Sequence, residues 1–121
     1  MINYIFAFVV IIALYALFHK RSNGAALQKL LRQSARWSTA AQQDESPLIA
    51  VLHANYGVAY LWALKDIATT KEIHNATGVD LKKFEEHIIN VQDMVNQKVV
   101  KKCPEFAGDV DLYLSAIGGE A

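Results

Sequence analysis

The side chains that could do chemistry in this chain are few and lie far apart. His53 lies in the most apolar stretch downstream of the N-terminus, where a histidine buried and hydrogen-bonded in the core is favoured over a metal ligand or a general base. Glu85, Glu86 and His87 are contiguous, and adjacent side chains of a helix point in different directions. We therefore interpret them as a solvated helix face. No spacing such as H-E-x-x-H or C-x-x-C predicts a metal site.

Cys103 is the only cysteine, which excludes an internal disulfide and fits a reducing compartment. Lys101 and Lys102 favour a reactive thiolate, but the dipole at the C-terminal end of a helix opposes it, so a structural thiol is favoured. Asp109 and Asp111 lack the rest of a calcium loop. The sequence contains no glycine-rich phosphate loop, serine nucleophile elbow or paired-carboxylate site. We predict a non-enzymatic protein with no catalytic residue, metal or other cofactor.

The first eighteen residues, Met1 to Phe18, form an apolar run that ends abruptly at His19, Lys20 and Arg21. At ~1.5 Å per residue the run covers roughly 27 Å, close to a hydrocarbon core of ~30 Å. A cleaved signal peptide is disfavoured because no basic residue precedes the run and no small-residue cleavage site follows it. A buried core helix is disfavoured because the run is apolar on all sides. We predict a single-pass transmembrane anchor at residues 1–21.

Charge is distributed unevenly although the net charge is zero. All twelve acidic residues lie from Asp44 onward, where seven basic residues accompany them. Basic residues near one end of a span hold that end on the cytosolic side, so we expect the body of the protein in the cytosol and the sequon at Asn75 unused. Nucleic-acid binding is not favoured, because acids balance the basic residues. Five basic residues precede the first acid and form the predicted membrane or partner surface: Lys20, Arg21, Lys29, Arg32 and Arg36.

Residues 22–46 are predicted to form a hinge and a basic amphipathic helix. The hinge is Ser22-Asn23-Gly24, and the helix runs from Ala25 to about Gln43. Its basic face would bind anionic lipid headgroups or an acidic partner, or would simply be the solvated side of a helix packed against its own domain. The opposite face at helical spacing is apolar or small: Leu27, Leu30, Leu31, Ser34, Ala35 and Ala41.

Residues 47–117 are predicted to form a helical bundle, followed by a loose tail at 118–121. Ser46-Pro47 is a strong helix start, and the helix from Pro47 to about Ala68 is apolar nearly all round. His53 and Asn55 within it, with Asp44-Glu45 before and Lys65-Asp66 after, favour a bundle core over a second membrane span, and the sequence leaves both open. Its small residues, Ala50, Ala54 and Gly57, would allow close approach of a neighbouring helix.

The later helices are delimited by capping signals. Thr69 and Glu72 fit a capping box, and Gly78 ends that short helix. Asp80 begins a long helix that Pro104 stops, and a last short helix is expected at residues 109–117. The long helix carries one narrow apolar stripe: Leu81, Phe84, Ile88, Val91, Val95 and Val99. With no alternating strand pattern, the fold class is all-α, a transmembrane helix followed by a bundle of about four helices.

Several stretches between Leu48 and Pro104 resemble a known group of proteins. They are the block from His53 to Ile67 (HANYGVAYLWALKDI), Thr77-Gly78-Val79-Asp80, Phe84, Val91-Gln92-Asp93 and Lys101-Lys102-Cys103-Pro104. They are similar to small, N-terminally membrane-anchored virion proteins of nucleocytoplasmic large DNA viruses. The resemblance implies a minor component between an internal virion membrane and the capsid shell. It carries over no active-site residue.

We predict a structural or interaction protein whose partners are the lipid bilayer and capsid or other coat proteins, with self-association left open. The alternative is a membrane adaptor or translocation-type subunit that acts through its anchor and basic amphipathic helix. A third hypothesis is a small enzyme or redox protein that uses His53, Tyr56 or Cys103.

Overall fold

The structure, a computed structural model, describes residues 1–106 and 116–118, with only the helical backbone described at 20–22. The described residues form no strand, which confirms the all-α prediction. The elements are α1 (Ile2–Gln43), α2 (Pro47–Ile67), α3 (Thr70–Thr77), α4 (Leu81–Lys102) and a 3₁₀ turn (Pro104–Phe106). The helix predicted at 109–117 lies mostly outside the described residues, of which 116–118 are helical.

The predicted hinge at Ser22-Asn23-Gly24 is wrong, because α1 continues through it without interruption. These three residue types cost a helix roughly 2 kcal/mol together, a penalty that tertiary contacts offset. Gln28 Nε2 donates a hydrogen bond of 2.8 Å to the carbonyl of Ala76 in α3, and the neighbouring Leu27 is buried. The C-terminal half of α1 is therefore an integral helix of the bundle.

Helix α2 begins as its sequence predicted and packs closely on α1. The Ser46 hydroxyl accepts from the backbone N–H of Ile49, and Pro47 occupies the first turn. Ala50, Ala54 and Gly57 are buried. A Cβ added to Gly57 would clash with Ser38 Oγ and lie 3.1 Å from the carbonyl oxygen of Ser34. The small residues thus permit the close approach expected of them.

Caps hold α3 and α4 at the bounds that the sequence indicated. The Thr69 hydroxyl accepts from Glu72 N–H at 3.2 Å and donates to the Glu72 carboxylate at 3.1 Å. Gly78 ends α3 with a positive φ of 72°, where glycine is favoured. Asp80 Oδ1 accepts from Lys83 N–H at 3.2 Å. Helix α4 ends at Lys102, before Pro104, as predicted.

The core consists of two clusters along the α1–α2–α4 interface. The first lies at the end of the bundle near α3 and includes Leu61, Leu64 and Ile73, none of which is exposed. The second, smaller cluster lies at the opposite end, where Ala41, Ala50 and Ala54 meet Val91 and Val95. The apolar stripe predicted on α4 faces this core, with Phe84 only half-buried.

Candidate functional site

The first part of α1 projects away from the bundle with its apolar side chains uncovered. Every residue from Met1 to His19 is exposed. The large apolar residues among them expose between 39% at Val10 and 99% at Met1 of their surface. Such a surface is unusual for a folded chain in water, because monomers rarely leave large contiguous apolar patches uncovered. Among the described residues, α1 and α2 are long and apolar enough to cross a membrane.

Helix α2 differs from the leading part of α1 because one side of it belongs to the bundle core. A third of its most apolar window is buried, against none for α1. Leu61 and Leu64 are completely covered by neighbouring helices. This burial matches the interpretation of α2 as a core helix. Its outward side still exposes four large residues near its start, Leu48, Ile49, Leu52 and Tyr56.

The basic face of α1 lies opposite its buried side, as the helical spacing predicted. Lys29, Arg32 and Arg36 are exposed, whereas Leu27 and Leu31 are buried. No acidic residue occurs from Met1 to Gln43. Neither of the two ion pairs found in the described part of the chain involves these three residues. Lys20 and Arg21, which were predicted to belong to the same surface, have side chains outside the described set.

An aromatic cluster that the sequence did not indicate lies where α1 meets α2. The Trp37 ring centroid lies 5.0 Å from that of His53 and 5.2 Å from that of Tyr56. Arg36 Cζ lies over the Trp37 ring, 5.8 Å from its centroid. Arg36, Trp37, His53 and Tyr56 are referred to below as the aromatic seam. Because its members come from two helices, no spacing within either helix reveals it.

His53 is hydrogen-bonded, but it is not buried in the core as predicted. Its Nδ1 lies 2.6 Å from Asp44 Oδ2, and its side chain is 23% exposed. The interaction joins the C-cap residue of α1 to the second turn of α2. His53 is partly exposed because Ala50, Ala54 and Gly57 are the α2 residues that face α1 directly. This places His53 at the edge of the α1–α2 contact.

The described residues contain no group of three or more His, Cys, Asp or Glu side chains suited to a metal ion. A groove between the ends of α1 and α4 is lined by three lysines, Lys98, Lys101 and Lys102, and by two carboxylates, Asp44 and Glu45. The Asp44 carboxylate pairs with His53.

Searches of protein-family models, curated proteins and solved structures found no match to this chain.

Proposed function

We propose that this protein is a non-enzymatic membrane-anchored interaction protein, in which the first part of α1 crosses a bilayer and the bundle binds a protein partner on the cytosolic side. The observation that carries the proposal is that no residue is buried in an apolar segment of about 18 residues at the start of α1. Burial of apolar surface stabilises by about 25 cal/mol per Å², so a bilayer offers this segment the contacts that the bundle does not provide.

The continuity of α1 determines where the bundle lies relative to the proposed bilayer. Gln28 donates a hydrogen bond to Ala76 in α3, and a Cβ added at Gly24 would lie 4.0 Å from Ala76, so the α3 end of the bundle would be next to the headgroups. Arg36 follows Arg21 by fifteen residues, about 22 Å along a helix axis. This exceeds a Debye length of about 8 Å at physiological salt. Lipid headgroups would therefore attract Lys20 and Arg21, whereas Arg32 and Arg36 would face a partner protein.

The virion setting remains a prediction that rests on the resemblance alone. In that setting the bundle would hold capsid or other coat proteins near an internal membrane. Many tethered copies would act together, because tethering raises the effective concentration of a weakly binding surface. The alternative, an adaptor or translocation subunit, drew on a hinge between anchor and basic helix. Because α1 is continuous, the hinge no longer supports this alternative.

Extraction of the full-length protein from membranes tests the proposed function. We expect the protein to resist both high-salt and alkaline carbonate washes. The double substitution Val9→Lys and Ala13→Lys places two charges at the centre of the span, at about 2.5–3.5 kcal/mol each, and should release most of the protein. The matched control Leu48→Lys changes an exposed apolar residue of the bundle and should stay in the membrane. Release of the unsubstituted protein by carbonate alone would contradict the proposal.

A further inference from the structure

The outward side of α2 near its start is apolar and uncovered. Leu48 is 57% exposed, Ile49 and Leu52 43% each, and Tyr56 42%. Ile49, Leu52 and Tyr56 share one side of the helix because three or four residues separate them. We call Leu48, Ile49, Leu52 and Tyr56 the α2 patch. Isolated exposed apolar residues need no explanation, but four large ones within nine positions form a surface of the kind that binds partners.

The aromatic seam makes the α2 patch and the basic face of α1 one continuous surface. Tyr56 belongs to the patch and packs edge-on against Trp37. Trp37 in turn lies against Arg36, the last residue of the basic face. The combined surface is rich in tryptophan, tyrosine and arginine, the residue types that contribute most binding energy in protein interfaces.

The charges around this surface specify its occupant. Three exposed basic residues lie on α1 without a single acid on that helix. The nearest acid of the seam, Asp44, is engaged by His53. A ligand that covers both the basic face of α1 and the α2 patch must therefore carry carboxylates for the basic face and apolar side chains for the patch.

Two other occupants fit these observations less well. In the proposed orientation, on which this inference rests, Arg36 lies about 22 Å beyond Arg21, too far for the α2 patch to reach the same bilayer. A second copy of the chain would have to supply an acidic apolar surface. Of the described helices, α4 does not supply one, because its exposed side mixes Glu86 and Asp93 with Lys82, Lys83 and Lys98.

We propose that the basic face of α1, the aromatic seam and the α2 patch together bind an amphipathic segment of a partner protein, one that carries carboxylates beside a cluster of apolar side chains. The segment would place its carboxylates on Arg32 and Arg36 and its apolar side chains on Leu52 and Tyr56. Trp37 would lie at the centre of the interface, where water is excluded.

Peptide binding to the full-length chain in uncharged detergent micelles tests this proposal. The background substitution Trp62→Phe leaves Trp37 as the only tryptophan and therefore the fluorescent reporter. The probes are two helical peptides of sixteen residues without tryptophan or tyrosine. They share the same leucine face and differ only in three flanking positions, which are glutamate in one and lysine in the other.

The glutamate peptide should bind and change the Trp37 emission, with an affinity that falls as salt is added. The pair Arg32→Glu and Arg36→Glu should weaken binding at least tenfold, and so should Leu52→Ser. The matched pair Lys98→Glu and Lys101→Glu makes the same charge change on α4 and should leave the affinity within twofold.

Equal binding of the two peptides, binding by neither, or equal weakening by the α4 pair would overturn the proposal. Quenching of Trp37 by chain-brominated lipids in nanodiscs would assign the surface to the membrane instead. Self-association abolished by Arg36→Glu would assign it to a second copy. Carbonate resistance is measured separately, so loss of peptide binding with retained membrane integration would reject this inference and leave the proposed function intact.

Discussion

Ser34, Ser38 and Gly57 set the distance between α1 and α2. The Ser34 hydroxyl donates to the Gly57 carbonyl at 2.6 Å, and Gly57 has no room for a methyl group. The sequence predicted this close approach, because Ala50, Ala54 and Gly57 follow one another at helical spacing. It did not predict which α1 side chains lie opposite, since that depends on the relative axial position of two helices.

Alanine substitutions at Gly57 and Gly24 separate the effect of the close α1–α2 packing on stability from the effect of helix propensity. Gly57→Ala should lower the free energy of unfolding by about 1–3 kcal/mol, because the added methyl overpacks the interface. Gly24→Ala should raise it by about 0.5–1 kcal/mol, because its Cβ meets only an ordinary contact and alanine favours a helix. Thermal denaturation of both variants in mild detergent checks the prediction. Equal effects of the same sign would contradict the close packing.

At the scale of elements, the sequence predicts the helix caps correctly but does not predict that α1 is continuous. Ser46, Thr69 and Asp80 act locally, through hydrogen bonds within three residues, and their sequence signals identified the helix starts. The triplet Ser22-Asn23-Gly24 is a local signal for a break, but packing of α3 on α1 overrides it. The aromatic seam was missed for a related reason, because contacts between helices leave no pattern within one helix.

A distance between spin labels tests whether α1 is continuous. With Cys103→Ser as background, labels at Phe8→Cys and Lys29→Cys are 21 residues apart, about 32 Å along one helix. We expect a narrow distribution near that value. The control pair Ala26→Cys and Gln43→Cys, about 26 Å apart by the same rise, lies wholly within the bundled half. A distribution for the first pair that is much broader than the control, or centred well below 32 Å, would restore the hinge.

At the scale of the whole molecule, the proposed function depends on orientation as well as insertion. The sequence predicted the cytosolic side from the basic residues that follow the apolar run. The described structure adds that α1 contacts α3 at Gln28, ten residues after the end of that run.

The sequon at Asn75 is a built-in reporter of orientation, since Asn75 is exposed on α3. The protein expressed with microsomal membranes should remain unglycosylated, because a cytosolic bundle does not meet the lumenal enzyme. Reversal of the flanking charge by Lys20→Glu and Arg21→Glu should give a fraction of molecules a glycosidase-sensitive increase in mass. Asn75→Gln in that background should abolish the increase. Glycosylation of the unsubstituted protein would place the bundle on the lumenal side.

Depth measurement by single cysteines tests most directly whether the first part of α1 spans a bilayer while the bundle stays in water. On a Cys103→Ser background, cysteines at Val10, Ala25 and Thr39 are reacted with a membrane-impermeant maleimide in reconstituted vesicles. We expect the cysteine at Val10 to be protected until detergent dissolves the membrane. In intact vesicles whose bundle faces outward, the cysteines at Ala25 and Thr39 should react. Reaction at Val10 as fast as at Ala25 in intact vesicles would contradict this expectation.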